Sequence, residues 1–319
     1  MNWVFDKKIS FEKRALRLFQ IQSQKCDVYR KYLDLINVDS SQVSQIEQIP
    51  FLPIQFFKNQ KILSTNSEAE IIFSSSGTSG QNASKHYVSD VSIYEESFLS
   101  AFKQFYGSVE DYRIMALLPS YLEREGSSLV YMCDQLIKKS KHPQSGFYLN
   151  NLDQLKKNLQ NKTDKKTLLI GVSYALIDLV EKGAIKLQNT IVMETGGMKG
   201  KRKEMIREEL HQILKDGFGL DKIHSEYGMT ELLSQAYSKG DGVFESPDWM
   251  RVVARSTDDP LSVLGDNISG GLNIIDLANI NSCAFIATQD LGKTLGNNQF
   301  EVLGRFDHSD VRGCNLLVQ

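Results

Sequence analysis

The chain has 319 residues, 41% of them hydrophobic and 24% charged, and its 37 Lys and Arg against 39 Asp and Glu give a formal net charge of −2. These values predict a globular protein with a large core in one or two domains and argue against a disordered tail. Because the chain has no broad basic field, we expect neither nucleic-acid binding nor docking on an anionic membrane.

The cysteines stand far apart and form no C-x-x-C pair, which disfavours a zinc site or a disulfide framework and is typical of a reducing compartment. The sequence contains no apolar run of about 18 residues. Its N-terminus lacks the apolar stretch and cleavage site of a secretory signal. We therefore expect a cytoplasmic protein without membrane insertion.

Apolar residues at helical spacing predict one or two amphipathic helices between residues 11 and 36. Pro50 and Pro53 end this pattern. Between residues 112 and 231, strand-like runs such as RIMALL and TLLIGV alternate with helix-like runs such as YALIDLVEKG. Such alternation is typical of a parallel sheet wound by crossover helices.

After about Val243 the sequence changes to short β-rich segments separated by Gly, Asn and Asp turns. The predicted fold class is therefore α/β, with wound, mainly parallel sheets and a smaller C-terminal β-rich subdomain. We expect the α/β body, with its N-terminal helices, to span residues 1–240 and the β-rich subdomain to span residues 241–319.

A run of seven Ser, Thr and Gly residues, 74–80, follows the short apolar strand 71–73. Such a loop can aim several backbone N–H groups and hydroxyls at one point, as phosphate-binding loops do. It matches neither G-x-x-x-x-G-K-[ST], nor G-x-G-x-x-G, nor G-x-S-x-G. Taken alone, the run is equally typical of a flexible surface loop.

Three later motifs favour the phosphate-binding interpretation. SEYGMTE, residues 225–231, places an aromatic ring, a glycine, a hydroxyl and a Mg²⁺-competent carboxylate after an apolar strand. TQDLG, residues 288–292, and LGRFD, residues 303–307, then end two β segments with an acid and a base.

With its motifs in this order, the sequence resembles the adenylate-forming superfamily of acyl and aryl ligases, and more closely its LuxE-type acyl-protein synthetases. The resemblance runs from about Phe51 onward and rests on FSSSGTSG, LLPSYLEREGSSLVYM, METGGMKGKRKE, SEYGMTELLSQAY, TQDLG and VLGRFDHSDVRGC. It implies an enzyme that activates a carboxylic acid, expected to be a fatty acid, with ATP and Mg²⁺. The acyl-adenylate forms with release of pyrophosphate, and the acyl group then passes to a thiol.

The resemblance implies that the Ser/Gly loop wraps the β- and γ-phosphates of ATP. Lys85 is a further candidate for charge there, although a lysine after a loop is usually just solvated. Gly196 and Gly197 match the segment that lines the adenine, where missing side chains let the base approach the backbone; the alternative is an ordinary turn. The loop residues concerned are Ser75, Ser76, Gly77, Thr78, Ser79 and Gly80.

By the same resemblance, Tyr227 stacks on the adenine, with Gly228 beside it. Thr230 holds the α-phosphate, and Glu231 binds the Mg²⁺ ion that neutralises the phosphates. Thr230 and Glu231 are therefore predicted catalytic residues, and Glu231 is also the predicted metal ligand.

Asp290 matches the acid that binds both ribose hydroxyls, and Arg305 matches the base that contacts ribose or phosphate. Alternatively, Asp290 only closes a turn and Arg305 only pairs with Asp307. Residues 121–132 match the region that positions the acyl group. The small residues at the predicted helix start there fit an acyl channel or a helix cap almost equally well.

Most members of the superfamily carry a mobile C-terminal lid that supplies a lysine for adenylation. Only residues 306–319 follow Arg305, so we expect the nucleotide-binding body without that lid. A lid-supplying partner, or a basic residue of the body such as Lys199 or Arg312, would then have to compensate.

The resemblance also predicts a role for Cys314, since acyl-protein synthetases accept the acyl group on a cysteine near the C-terminus and relay it to a reductase. In an extended segment Arg312 would share its face and favour the thiolate. The alternative is a small buried hydrophobe, which is how we interpret Cys26, Cys133 and Cys283. Rival functions are an acyl- or aryl-CoA ligase, transfer to a carrier protein, and a nucleotide-binding subunit that has lost catalysis.

Overall fold

In a computed structural model of the protein, the structure describes residues 3–75, 83–119, 125–196 and 205–306. The α-helices of these ranges are α1 (Phe11–Lys25), α2 (Asp27–Leu35), α3 (Phe56–Asn59), α4 (Val91–Tyr106), α5 (Ser128–Ser140), α6 (Leu152–Gln160), α7 (Ser173–Glu181) and α8 (Arg207–Phe218). Short 3₁₀ turns add Trp3–Phe5, Ser40–Gln42, Ile46–Gln48, Val109–Asp111 and Leu277–Asn279.

The strands belong to one large mixed sheet and one separate hairpin. They are β1 (Leu52–Pro53), β2 (Ile71–Ser74), β3 (Lys85–Val88), β4 (Tyr112–Leu117), β5 (Gly146–Phe147), β6 (Lys166–Gly171), β7 (Thr190–Glu194), β8 (His224–Tyr227), β9 (Ala236–Ser238), β10 (Val243–Glu245), β11 (Met250–Arg255), β12 (Gly270–Asp276), β13 (Phe285–Gly296) and β14 (Gln299–Arg305).

The predicted N-terminal helices form as α1 and α2. The side chain of Ser10 caps α1 by accepting a hydrogen bond from the backbone N–H of Lys13. Their apolar faces pack on the sheet through aromatic contacts, with the ring centroid of Phe285 in β13 lying 5.9 Å from that of Phe19 and 6.0 Å from that of Tyr29. The two helices therefore cover one face of the C-terminal part of the sheet.

The parallel half of the sheet has the strand order β5-β4-β6-β7-β8. All six residues of β4 and five of six in β6 are buried, as expected for parallel strands covered by helices on both faces. The predicted alternation of strands and helices is confirmed. Because parallel strands all end at the same edge, the segments that follow β6, β7 and β8 meet there.

The antiparallel half continues the same sheet through β9, β10, β14, β13, β12 and β11, with β1 added parallel to β13. Strands β10 to β14 lie in the predicted C-terminal β-rich region. The predicted division at residue 240 falls between β9 and β10, which pair within this sheet. The two halves are therefore continuous in hydrogen bonding, and the domain division stays a prediction.

The hairpin of β2 and β3 carries the Ser/Gly loop. Phe73 anchors it, since this fully buried ring packs edge-on against Tyr94 of α4 and Tyr131 of α5. At the base of the loop, the backbone N–H of Ser75 donates to the carbonyl of Ser84 at 3.1 Å, and the N–H of Ser84 donates to Oγ of Ser75 at 3.0 Å. The two ends of the loop are thus tied together.

None of the helices within the described residues is long and apolar enough to cross a membrane.

Candidate active site

The carboxyl ends of the parallel strands open onto a cleft of about 1140 Å³. Strand ends from both halves of the sheet and the base of the Ser/Gly loop all contribute to it. The structure brings together here every predicted nucleotide-site residue within the described ranges: Ser75, Gly196, Tyr227, Gly228, Thr230, Glu231, Asp290 and Arg305.

Three of these side chains form a hydrogen-bonded series. The hydroxyl of Tyr227 donates to Oδ2 of Asp290 at 2.7 Å, and Nε of Arg305 donates to Oδ1 at 2.8 Å. The Asp290 side chain is 6% exposed, whereas that of Arg305 is 75% exposed. One oxygen of the Asp290 carboxylate is therefore held by a buried phenol and the other by an exposed guanidinium. The charge of Asp290 in turn raises the pKa of Arg305.

The sequence predicted that Asp290 ends a strand, but it does not. It lies inside β13, directly opposite Arg305 of β14. A register shift follows at Gly292, where a Cβ atom would collide with the backbone of β14. The strand continues because glycine permits this close approach. Arg305 thus pairs with Asp290 across the ladder.

The ring of Tyr227 packs against two further aromatic rings of the antiparallel half, with centroids 5.7 Å from Phe244 and 5.4 Å from Phe300. Only 9% of Tyr227 is exposed, although the residue still lines the cleft. Its position is thus set by packing on one side and by Asp290 at its hydroxyl.

Thr230 is held by a histidine that the sequence analysis did not single out. Nδ1 of His86, in β3, lies 2.9 Å from the carbonyl oxygen of Thr230, and its Nε2 lies 3.0 Å from Oγ of Ser282. Burial lowers the pKa of His86 to about 4, so its ring is neutral at pH 7 and donates from Nδ1. This contact joins the strand after the Ser/Gly loop to the Thr-Glu segment.

Glu231 is 6% exposed and lines the cleft. Burial raises the pKa of its carboxyl group, while the hydroxyl of Ser84 and the charges of Arg305 and Lys58 oppose that rise. Its carbonyl oxygen accepts from Nδ2 of Asn279 at 2.9 Å. A carboxylate so placed favours a cation, which would offset the cost of burying its charge.

Glu194, at the end of β7, is a second buried carboxyl group that the sequence analysis missed. Its Oε2 accepts from the backbone N–H of Gly196 at 2.6 Å, and its Oε1 lies 3.6 Å from Nε2 of His211. Burial alone would raise the pKa of Glu194, but these hydrogen bonds and the charge of Arg207 lower it overall. Glu194 therefore fixes the backbone at the predicted adenine-lining turn.

That turn bends sharply at Gly196, whose φ is +71°. A Cβ atom there would meet no described atom within 4 Å. The space beside Gly196 is therefore open to the cleft.

Glu226 and Gln235 also line the cleft and also lie outside the predicted set. They flank Gly228, since a Cβ atom at this glycine would collide with Oε1 of Glu226 and lie 3.4 Å from Cγ of Gln235. Burial, followed by the charge of Glu194, raises the pKa of Glu226 to about 8. The only feature of the sequence that points to Glu226 is the position of this charged residue on a buried strand, directly before Tyr227.

The segment before α5 shows a helix cap. Oγ of Ser127 accepts from the N–H of Val130 at 3.5 Å. Gly126, with φ of +80°, lies against Ser74, whose N–H donates to the Gly126 carbonyl at 2.7 Å. Ser127 and Ser128 also line the cleft, so both interpretations of this segment stay open.

Several predicted residues lie outside the described residues: Ser76, Gly77, Thr78, Ser79, Gly80, Gly197, Lys199, Arg312 and Cys314. Lys85 begins β3 and is exposed. Cys26, Cys133 and Cys283 are fully buried, which confirms them as core residues. Where the structure describes the chain, no three or more His, Cys, Asp or Glu side chains gather into a metal site.

Residues 1–96 match the family model of acyl-protein synthetase, LuxE. The resemblance to this family is thus confirmed. The matched range includes the Ser/Gly loop, and it also takes in α1 and α2, which precede the stretch from Phe51 onward that carried the resemblance. The later motifs lie beyond this match. A search of curated proteins found no match.

Solved structures with a similar fold include MatB and a 2-hydroxyisobutyryl-CoA ligase. Against ATP-bound MatB from Rhodopseudomonas palustris, the chain has a TM-score of 0.56 and 14% identity, covering 73% of this chain and 47% of MatB. Against a 2-hydroxyisobutyryl-CoA ligase with 2-HIB-AMP and CoA, the TM-score is 0.69 at 13% identity, covering 93% of this chain and 68% of the ligase. The predicted fold class is confirmed, and the chain spans about half the length of MatB.

Proposed function

We propose that the protein is a carboxylate-activating ligase of the acyl-protein synthetase type, which joins a carboxylic acid to AMP at the expense of ATP. The observation that carries this proposal is the convergence of Tyr227, Asp290 and Arg305 with Glu231 and the base of the Ser/Gly loop on one cleft. The family match over residues 1–96 and the ligase fold support it.

In the proposed reaction, a carboxylate oxygen of the acid attacks the α-phosphorus of ATP. The bond from that phosphorus to the bridging oxygen breaks, and pyrophosphate leaves. No proton is transferred in this step, so the protein has to position the reactants and stabilise negative charge. Thr230, held by His86, is the proposed contact of the α-phosphate.

The nucleotide is proposed to bind with its ribose hydroxyls at Asp290 and its base between Tyr227 and the open side of Gly196. The hydrogen bonds from Tyr227 and Arg305 fix the Asp290 side chain, and its oxygens would accept from both ribose hydroxyls. Arg305 is exposed enough to contact the ribose or a phosphate as well.

Glu231 is the proposed ligand of Mg²⁺. A single buried carboxylate fits this ion, because Mg²⁺ in nucleotide sites is commonly bound by one or two carboxylates together with the phosphates and water. When bound, the ion would neutralise phosphate charge. The hydroxyl of Ser84 and the charge of Lys58 oppose the rise that burial causes in the pKa of Glu231.

The second step is proposed to be transfer of the acyl group to a thiol, with loss of AMP. Following the family, Cys314 is the proposed acceptor and a reductase the proposed next partner. Coenzyme A or a carrier protein is the alternative acceptor. The described cysteines are buried in the core and are therefore unsuited to this role.

The nucleotide site is tested by isothermal titration of ATP with Mg²⁺ into the wild-type chain and into Asp290→Asn. The amide would place a donor opposite the Tyr227 hydroxyl, so we expect about 10-fold to 100-fold weaker ATP binding. Asp153→Asn, an exposed carboxylate on α6, is the matched control and should bind normally. Failure of the wild-type chain to bind ATP would overturn the proposal.

Chemistry is tested by acid-dependent exchange of pyrophosphate into ATP across aliphatic, hydroxy, amino and aryl acids. ATP binding without exchange for any acid would favour the nucleotide-binding subunit over the enzyme. The acceptor is tested with labelled acid and intact mass, comparing wild type with Cys314→Ser. An acyl adduct that persists in the variant would exclude Cys314.

A further inference from the structure

One limb of the cleft is lined by residues of α4 and α5. Tyr94 of α4 lines it, as do Val130 and Met132 of α5 and Leu118 after β4. These residues are buried, so an acyl chain lying against them would be shielded from water. On this evidence alone the limb would suit a plain hydrocarbon.

The strand register adds polar groups to the same limb. Glu194 pairs with Ser225 across β7 and β8, so Thr195 and Glu226, one residue further on, stand side by side on the opposite face. Across β8 and β9, Glu226 pairs with Tyr237. Gln235 therefore follows on the same face as Glu226, with only the hydrogen atom of Gly228 between them.

Two polar atoms here lack partners among the described residues, although they are buried. They are Oε1 of Gln235 and Oγ1 of Thr195. Gln235 is only 4% exposed, yet it lines the cleft. A buried acceptor without a hydrogen bond is costly, and a ligand that supplies the missing donor removes that cost.

We propose that the acid activated by this protein carries a hydrogen-bond donor, a hydroxyl or an ammonium group, which binds between Gln235 and Glu226. This inference rests on the proposed function, and it differs from the fatty acid expected from the family resemblance. A plain alkyl chain in this limb would leave the Gln235 oxygen buried without a partner. Such a site discriminates against ligands that lack the donor.

Glu226 suits either donor. Burial raises the pKa of its carboxyl group to about 8, so in the free protein at pH 7 it is mostly protonated and exchanges hydrogen bonds with a hydroxyl. An ammonium group would instead favour the ionised carboxylate, which then neutralises it. In both cases Gly228 is required, because a side chain there would occupy the space of the Glu226 carboxyl group.

The test uses non-hydrolysable acyl-sulfamoyl adenosines, which mimic the acyl-adenylate and bind without catalysis. Calorimetry compares the hexanoyl compound with hydroxyhexanoyl and aminohexanoyl compounds substituted at each carbon in turn, at pH 7. We expect at least one substituted compound to bind about tenfold more tightly than the hexanoyl compound. The series also shows whether a hydroxyl or an ammonium is preferred.

Gln235→Met keeps the side-chain length and removes the acceptor, so it should abolish the preference while ATP still binds. Ser246→Ala is the matched control, because Oγ of Ser246 is likewise buried without a partner in the described part of the chain but does not line the cleft. It should retain the preference.

If the hexanoyl compound binds wild type as tightly as every substituted compound, the inference is wrong and the proposed function stands. A preference that survives Gln235→Met would equally overturn the role of Gln235. If neither ATP nor any adenosine compound binds, the proposed function fails and the inference fails with it.

Discussion

The two sides of the cleft treat their polar groups differently. On the nucleotide side, Asp290 is hydrogen-bonded by both Tyr227 and Arg305, and Glu194 is bonded by the backbone of Gly196. On the acid side, the Gln235 oxygen and the Thr195 hydroxyl are buried without partners within the described ranges. In the proposed function, the nucleotide side is thus assembled before its ligand arrives, whereas the acid side is completed only by its ligand.

Two buried carboxyl groups illustrate the same difference. Burial raises the pKa of both Glu231 and Glu226. Near Glu231, a hydroxyl and two cationic side chains oppose this rise, whereas the charged neighbour of Glu226 is the carboxylate of Glu194, which adds to it. Neighbouring groups therefore oppose the rise in the pKa of Glu231 and add to that of Glu226, which suits the different ligands proposed for the two acids.

The largest effect is expected for Glu231→Gln. The amide retains the volume and a carbonyl oxygen but loses the charge that would hold Mg²⁺, so we expect pyrophosphate exchange to fall about 10²-fold to 10³-fold. Thermal unfolding should change little or rise slightly, because a buried charge is removed. Exchange is measured at saturating ATP across a titration of Mg²⁺.

The matched variant is Glu245→Gln, an exposed carboxylate in β10 outside the cleft. It should leave both the rate and the Mg²⁺ dependence unchanged. If Glu231→Gln exchanges pyrophosphate at the wild-type rate, Glu231 does not hold the metal. The difference in pKa between Glu231 and Glu226 would then have no bearing on catalysis.

A smaller effect, on stability, is expected for Glu226→Gln. Because the pKa of Glu226 is about 8 in the folded protein against 4.5 for an ordinary glutamate, the folded state keeps a proton that the unfolded state releases. In the wild type, Glu226 therefore makes its full contribution to the free energy of unfolding below about pH 4.5. This contribution is lost as the pH rises towards 8. Glu226→Gln removes this loss, so between pH 5 and pH 8 the variant should gain about 3 to 4 kcal/mol relative to wild type.

The measurement is urea unfolding of both proteins across that pH range. Other groups that titrate are common to both, so the difference between the two curves isolates Glu226. The titratable groups electrostatically coupled to Glu226 are Glu194, Tyr94, Tyr106, Cys133 and Tyr237. Parallel curves would mean that Glu226 is ionised in the free protein.

The sequence predicted the parallel half of the fold well because buried strands such as β4 are continuous apolar runs and alternate with amphipathic helices. It also predicted a β-rich C-terminal region. The continuity of one sheet through β9 and β10 was not predictable, since these short strands pair only through tertiary contacts. The position of Asp290 inside a long strand was missed because Gly292 resembles a turn residue and instead allows close packing.

For the candidate site, motif order identified groups that the fold brings together at one cleft. Residues such as His86 and Gln235 were missed because each acts through contacts that form only in the folded chain, and no local pattern distinguishes them from ordinary core residues. His86 lies 144 positions from the carbonyl it binds. The unpartnered oxygen of Gln235 is a property of the packed structure alone.

The smallest effect on stability is expected for alanine substitutions at two glycines, of which one lines the cleft and the other does not. Gly196 and Gly107 both have positive φ, +71° and +90°, and a Cβ atom on either would meet no described atom within 4 Å. Alanine at either site should cost about 1 kcal/mol of unfolding free energy from backbone strain.

Gly107 ends α4 and does not line the cleft, whereas Gly196 lines it. Titration of ATP should therefore show about tenfold weaker binding for Gly196→Ala and normal binding for Gly107→Ala. Equal ATP affinity for the two variants would mean that the adenine does not lie against Gly196.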